Sequence, residues 1–242
     1  MTKNIKPTIV ILPGWCMPAR AYEPLLQALR QLNIQVTAID LPGFGIDPPT
    51  FAWGVTEYVR FVRDYITKHH LSNIIFLGHS FGGRVALKYS FLYPKEVRLL
   101  IFTGTPGYSA IPTAKKALIR WIAKFGSHVL EHLPITEYRT SIQRMFYFAF
   151  GVRDFVKAKG IMQDVFKTIV DEPLDKYMQA VRVPCLLLWG QNDGVVPVAI
   201  ATRMKETIQN AQLEVVSNEN HALPYKNPTA VSAYVKQFIE IS

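Results

Sequence analysis

The sequence predicts an α/β fold, with a mostly parallel central sheet interrupted by an inserted helical segment. Three observations carry that reading. Short apolar runs rich in β-branched residues alternate with segments of helical periodicity up to about residue 106. Between 107 and 180 the pattern is helical only, with no convincing strand. From 181 onward the alternation resumes. Strands that are apolar on both faces, separated by helices, belong to a parallel sheet covered on both sides.

The elements follow in order. Thr8–Leu12 (TIVIL) is a buried strand stopped by Pro13-Gly14. Tyr22–Leu32 is a helix whose inner stripe is Leu25, Leu26, Leu29 and Leu32. Gln35–Ile39 is the second strand, ending at Asp40 before a Pro-Gly turn. Thr56–His70 is a helix with Thr56 as its cap and Val59, Phe61, Val62, Tyr65 and Ile66 inward. Asn73–Leu77, a helix over Phe81–Phe91 and the strand Arg98–Phe102 come next. After the insert come strand Cys185–Trp189, helix Val198–Ile208, strand Leu213–Val216 and a last helix near Pro228–Ile239. No repeat or low-complexity linker divides the chain, so one core is expected from 1–106 and 181–242, with 107–180 a helical cap inserted in it.

Composition excludes several classes. With 49% hydrophobic and 19% charged residues the chain is not disordered. Two cysteines, Cys16 and Cys185, cannot build a disulfide scaffold. No apolar run approaches the roughly 18–20 residues of a membrane-spanning helix, and Ile9–Leu12 is too short for the core of a secretory signal, so a cytoplasmic protein is expected. The 27 Lys and Arg against 18 Asp and Glu give a net charge of +9, which fits an acidic partner, nucleic acid, a membrane surface or a solvated shell.

Gly78-His79-Ser80-Phe81-Gly82-Gly83 matches the pattern Gly-x-Ser-x-Gly between a strand and a helix. A serine on such a sharp turn stands out at the carboxyl end of a sheet, and side chains at the flanking positions would clash. A hydroxyl needs a base, and His221, in the polar loop before the last helix, lies where the chain order serine–acid–histidine requires it. His69, His70, His128 and His132 fall on helical stretches, and His79 points the wrong way to serve its neighbour. Asp193, just after the strand Cys185–Trp189, is the candidate acid that orients the imidazole. Asp40 precedes Ser80 and breaks the order, and Asp175 is a weaker spare. Backbone N–H groups of Phe81 and of Trp15, in the loop after the first strand, are the candidate oxyanion donors.

These motifs together resemble the α/β-hydrolase superfamily. The resemblance rests on Leu12-Pro13-Gly14-Trp15, Asp40-Leu41-Pro42-Gly43-Phe44-Gly45, the Ser80 turn, Trp189-Gly190 with Asp193, and the His221 loop. It implies a Ser80–Asp193–His221 triad and no cofactor or metal. Pro13 stands where the family usually has histidine, and only seven residues precede Thr8, which implies reduced N-terminal strands and about six parallel strands. Within the superfamily the chain looks like the carboxylesterases that demethylate a pimeloyl-carrier-protein ester. That branch implies an acidic acyl carrier protein docked on a basic cap. Gly107–Val170 holds ten basic residues (Lys115, Lys116, Arg120, Lys124, Arg139, Arg144, Arg153, Lys157, Lys159, Lys167) against four acidic (Glu131, Glu137, Asp154, Asp164), +6 of the total +9. A solvated lid fits the same charge. Met145–Phe150 is an aromatic run from which Phe146 and Phe150 are candidate pocket residues.

The expected activity is carboxylic-ester hydrolysis of a small molecule through an acyl-enzyme. Thioester, lactone or carbon–carbon bond hydrolysis on the same triad, and a receptor-like hydrolase with little turnover, are the alternatives. Nucleic acid and membrane are not expected partners, since neither a DNA-binding motif nor a membrane span is present. A monomer and a dimer are equally compatible with the sequence.

Overall fold

The computed structural model describes residues 7–108 and 158–242. Six strands form one sheet: β1 (Thr8–Leu12), β2 (Gln35–Ala38), β5 (Ile74–His79), β6 (Val97–Thr103), β7 (Cys185–Gly190) and β8 (Ala211–Val216). They lie in the order β2-β1-β5-β6-β7-β8, and every neighbouring pair is parallel. A two-residue pairing, β3 (Leu41–Pro42) with β4 (Gly45–Ile46), sits in the loop after β2. The helices are α1 (Glu23–Gln31), α2 (Val55–Lys68), α3 (Phe81–Leu92), α4 (Ile161–Asp171), α5 (Asp175–Ala180), α6 (Val198–Thr207), α7 (Leu223–Lys226) and α8 (Pro228–Ile241).

The period of two along each strand divides the core into two layers. Ile9, Ile11, Ile75, Leu77, Leu99, Ile101, Leu186 and Leu188 face one way, against Leu25 and Leu29 of α1 and Val231 and Val235 of α8. Val10, Leu12, Phe76, Leu100, Phe102, Leu187 and Trp189 face the other, against α2, α3 and α6. Burial on both faces is why these strands read as unbroken apolar runs rather than alternating ones. In the edge strand β8 no residue is fully buried, and Gln212, Glu214 and Val215 are exposed.

One local expectation changes. Helix α2 begins at Val55 with Gly54 as its cap, and Thr56 lies inside the first turn. The Glu57 carboxylate reaches back to accept the Gly54 N–H at 2.9 Å, which is the N3 half of a capping box with no side chain at the cap to supply the other half. At the other end of the chain, Asn227 caps α8 by accepting the Ala230 N–H at 3.1 Å, with Pro228 preset for the first turn.

The described part of 107–180 is helical. From α4 and α5, Met162, Val165, Ile169, Tyr177 and Met178 are buried in the same layer as α2 and α3. Arg84 of α3 reaches this segment from below. Its guanidinium donates to the carbonyls of Pro106 (3.3 Å), Ile169 (2.5 Å) and Glu172 (2.7 Å). Lys88, one turn on, pairs with the Glu172 carboxylate. Burial pushes the Arg84 guanidinium down to about 10, still charged at neutral pH.

Parallel register aligns the strand ends. Leu12 pairs with Gly78, Gly78 with Phe102, and Phe102 with Leu187. The loops that follow β1, β5, β6 and β7 therefore open side by side at the carboxyl edge of the sheet, where open α/β sheets bind their ligands.

Candidate active site

The turn between β5 and α3 forces Ser80 into the left-handed region, φ 50° and ψ −113°. A non-glycine residue there is held by its surroundings, and such strain gathers at functional sites. Here the surroundings are close. The Ser80 N–H donates to Thr103 O at 2.9 Å, and the Gly83 N–H donates to Ser80 O at 3.1 Å. A Cβ on Gly82 would stand 2.0 Å from the Leu12 carbonyl oxygen, so only glycine lets α3 start this near to β1. Ser80 caps α3, which brings the helix N-terminus and the Phe81 N–H beneath it.

His221 and Asp193 come together from the loops after β8 and β7. Nδ1 of His221 lies 2.8 Å from Oδ2 of Asp193. A carboxylate only accepts, so Nδ1–H is the donor and Nε2 keeps its lone pair. The other carboxylate oxygen accepts the N–H groups of Val195 (2.9 Å) and Val196 (2.8 Å), which fixes the rotamer. The two loops are tied to each other by Asn192 N–H to Glu219 O at 2.7 Å and Gln191 N–H to Val216 O at 2.9 Å. Trp189 steadies the acid loop from inside, its Nε1–H donating to Val196 O at 2.8 Å. The Asp193 side chain is 1% exposed and that of His221 is 20% exposed, so the acid is sealed while the imidazole meets solvent.

Gly104, just past β6, lies against this pair. Its φ is +56°, and a Cβ there would come within 2.6 Å of the His221 ring and 3.2 Å of Asp193 Oδ2. Nothing in the local sequence Thr103-Gly104-Thr105 distinguishes it from a turn glycine; only the approach of His221 from 117 positions later gives it a role.

Ser80, His221, Trp15, Val195 and Tyr225 share the walls of one open cleft of about 340 Å³. On the β1 side the loop turns at Gly14–Met17, closed by Met17 N–H to Gly14 O at 3.1 Å. The Gly14 N–H is already committed to the hydroxyl of Tyr22 at 3.0 Å. Trp15 is 7% exposed and packs edge-on against Phe44 (4.6 Å), Phe81 (5.7 Å) and Phe166 of α4 (5.1 Å). The sequence singled out neither Phe166 nor Tyr22. Both stand on helical stretches whose apolar periodicity accounts for them without any site.

The remaining candidates fall elsewhere. Asp40 accepts the Ala19 N–H at 2.6 Å and so braces the segment after the β1 loop. Asp175 opens α5 as a first-turn acid. His79 is 2% exposed, its two ring nitrogens facing the Tyr22 hydroxyl and the His221 carbonyl oxygen. Phe146, Phe150 and eight of the ten basic residues counted above lie outside the described residues. Of the other two, Lys159 is exposed and Lys167 pairs with Asp164 at 2.9 Å.

Comparison with known proteins agrees with this architecture. The family model for serine aminopeptidase, S33 (Hydrolase_4), matches residues 3–225. An uncharacterised hydrolase of Bacillus subtilis, YugF, is 23% identical over 96% of this chain and 90% of its own length. The pimeloyl-[acyl-carrier protein] methyl ester esterase of Vibrio campbellii is 22% identical over 96% of this chain and 94% of its own. Among solved structures, the bromoperoxidase of Bacillus anthracis superposes with a TM-score of 0.74 at 17% identity, covering 98% of this chain and 92% of that one. The parallel sheet, its serine turn and the family match over most of the length place the chain in the Hydrolase_4 family of α/β-hydrolases.

Proposed function

We propose that this hydrolase cleaves carboxylic esters by a serine mechanism, with Ser80 as nucleophile, His221 as base and Asp193 as its orienting acid. The reading is carried by one arrangement: an imidazole whose Nδ1–H is engaged by a sealed carboxylate, in the same cleft as a serine on a strained turn. His221 Nε2 takes the Ser80 proton as Oγ attacks the ester carbonyl carbon. The N–H groups of Phe81 and Trp15 receive the oxyanion. The Gly14 N–H is excluded from that role by its bond to Tyr22. The carbon–oxygen bond to the alcohol then breaks, and the alcohol leaves with the proton from His221. Water adds to the acyl-enzyme by the same route, releasing the acid and restoring Ser80.

In this reading 107–180 is a helical cap over the cleft. Phe166, which comes from that segment and rests on Trp15, supports it. An acyl group carried by an acidic carrier protein is the substrate class favoured by two observations: the Vibrio campbellii esterase acts on such an ester by its name, and the surplus of +6 lies in Gly107–Val170. Among the described residues no helix is long and apolar enough to cross a membrane. The cytoplasm is the address we infer, since neither Cys16 nor Cys185 is in a disulfide.

The test is a chain-length series of p-nitrophenyl esters, run beside the methyl ester of an acylated carrier protein. Turnover of the esters by the wild type and none by a folded Ser80→Ala variant is the expected result. Full activity in Ser80→Ala overturns the mechanism, and a preference for free short esters over the carrier-linked one removes the carrier from the substrate.

A further inference from the structure

We propose that His79 is a positioning residue: bridging Tyr22 and the His221 backbone, it locks the loop after β1 and the loop after β8 onto the Ser80 turn. The bonding leaves one arrangement of protons. Nε2 of His79 lies 3.0 Å from the His221 carbonyl oxygen, which can only accept, so the ring proton sits on Nε2. Nδ1 of a neutral ring is then an acceptor, and its partner at 2.5 Å is the Tyr22 hydroxyl, which therefore donates. The same Tyr22 oxygen accepts the Gly14 N–H at 3.0 Å. The chain of donors runs Gly14 N–H to Tyr22, Tyr22 O–H to His79, and His79 Nε2–H to the His221 carbonyl.

The two links to Tyr22 are buried, the link to the His221 carbonyl is partly so, and each has one orientation. His79 is 2% exposed and Tyr22 0%. Burial favours the neutral form of both, pushing the His79 imidazole down to about 3 and the Tyr22 phenol upward. A Cβ on Gly14 would fall 2.9 Å from His79 Nδ1, so the loop can lie this close to the ring only with glycine there.

The consequence is mechanical. His221 is held at two points, its side chain by Asp193 and its backbone by His79. The loop that carries Trp15 is held at Gly14 through Tyr22. His79 is the residue before Ser80 in the chain, so base, nucleophile and oxyanion loop share one anchor. His79 borders the same cleft and its ring lies 4.9 Å, centroid to centroid, from that of His221, but it exchanges no proton with substrate in this scheme. Its contribution is to geometry, where a displacement of about 1 Å can cost on the order of a hundredfold in rate.

The proposal rests on the ester-hydrolase reading, and its test separates the two. Long-range nitrogen–proton NMR of the imidazole rings reads His79 without any turnover. The expected spectrum is a neutral ring with its proton on Nε2, unchanged between pH 5 and 8, whose Nδ1 resonance moves in Tyr22→Phe. Titration of His79 in that range, or a proton on Nδ1, overturns the proposal even if esters are hydrolysed. In kinetics, Tyr22→Phe is expected to lower kcat about tenfold or more with KM within about threefold. His79→Leu is expected to lower kcat further, and His79→Gln, which keeps an amide donor for His221, to recover part of the loss. The double variant Tyr22→Phe/His79→Leu should be no slower than His79→Leu, because one chain is broken twice. Tyr65→Phe, which removes a half-buried hydroxyl far from the cleft, controls for the substitution itself. Wild-type kcat in Tyr22→Phe, or fully additive losses, refutes the relay. Should His79→Leu fail to fold, Tyr22→Phe and the spectra decide. If the wild type hydrolyses no ester, the mechanism falls, and the spectra still judge the bridge.

Discussion

Gly104→Ala sets a methyl group against the imidazole of His221, and the structure gives the size of the disturbance. The added carbon would stand 2.6 Å from Nδ1 and Cε1 of His221 and 3.2 Å from Asp193 Oδ2, where ordinary contact is 3.4–4 Å. The ring must therefore retreat by about 1 Å, and it cannot do so without stretching the 2.8 Å bond to Asp193. A misplacement of that size in a group that moves a proton costs on the order of a hundredfold in kcat. Alanine at φ +56° adds a backbone cost of roughly 1–2 kcal/mol, which lowers Tm by about 2–8 °C for a chain of this length. The assay is initial rates on a p-nitrophenyl ester beside a thermal melt and fluorophosphonate labelling of Ser80. The variant should remain folded at 25 °C, lose about a hundredfold in kcat and label slowly. A kcat within about threefold of wild type, with labelling unchanged, would refute the claim that Gly104 makes room for His221.

Two further predictions test the same machinery. Asp193→Asn keeps the acceptor that faces Val195 and Val196 but turns an amide toward His221, forcing its proton onto Nε2; kcat should fall by about 10³–10⁴ with the melt little changed, and steady-state kinetics would show it. His79 makes stability depend on pH. Its imidazole is held near 3 in the folded chain, by burial first and then by the neighbouring His221, against about 6.5 unfolded, with Tyr22 and Tyr225 as the other titratable rings around it. Between those values the unfolded chain binds the extra proton, so stability is full above about 6.5 and is lost as pH falls toward 3. Urea unfolding at pH 7 and pH 4.5 should differ by up to about 3 kcal/mol from this group, and the difference should shrink in His79→Leu.

Much of the fold could be read from the sequence because both faces of the sheet are buried. Ile9 to Leu12, Ile74 to Leu77 and Leu99 to Phe102 had to be apolar at every position, and such runs are hard to mistake. Strand and helix ends differ by a residue or two, as at Gly54, where the N–H of the cap residue is taken by a carboxylate three residues inside the helix. Ser80, Asp193 and His221 can be nominated as candidates because each follows a strand and the chain order is constrained. Tyr22 was not, since its hydroxyl meets a ring 57 residues away and its own helix explains it as core. Gly104 was hidden for the same reason: its partner arrives from another loop. Residues proposed for chemistry have a type that nominates them, whereas residues that hold others in place are defined by contacts alone.

The three carbonyls gathered by Arg84 give the inserted segment a closed base. Pro106 follows β6, Ile169 lies in the last turns of α4, and Glu172 comes just after that helix. Because one guanidinium clasps both sides, the ends of the intervening stretch of chain are already held together on α3. Lengthening such a loop costs only about 0.6 kcal/mol per doubling. The seam for exchanging this segment with one of another length therefore lies above Arg84. A graft made there would exchange the segment while α3 and the Ser80 turn before it keep their seat.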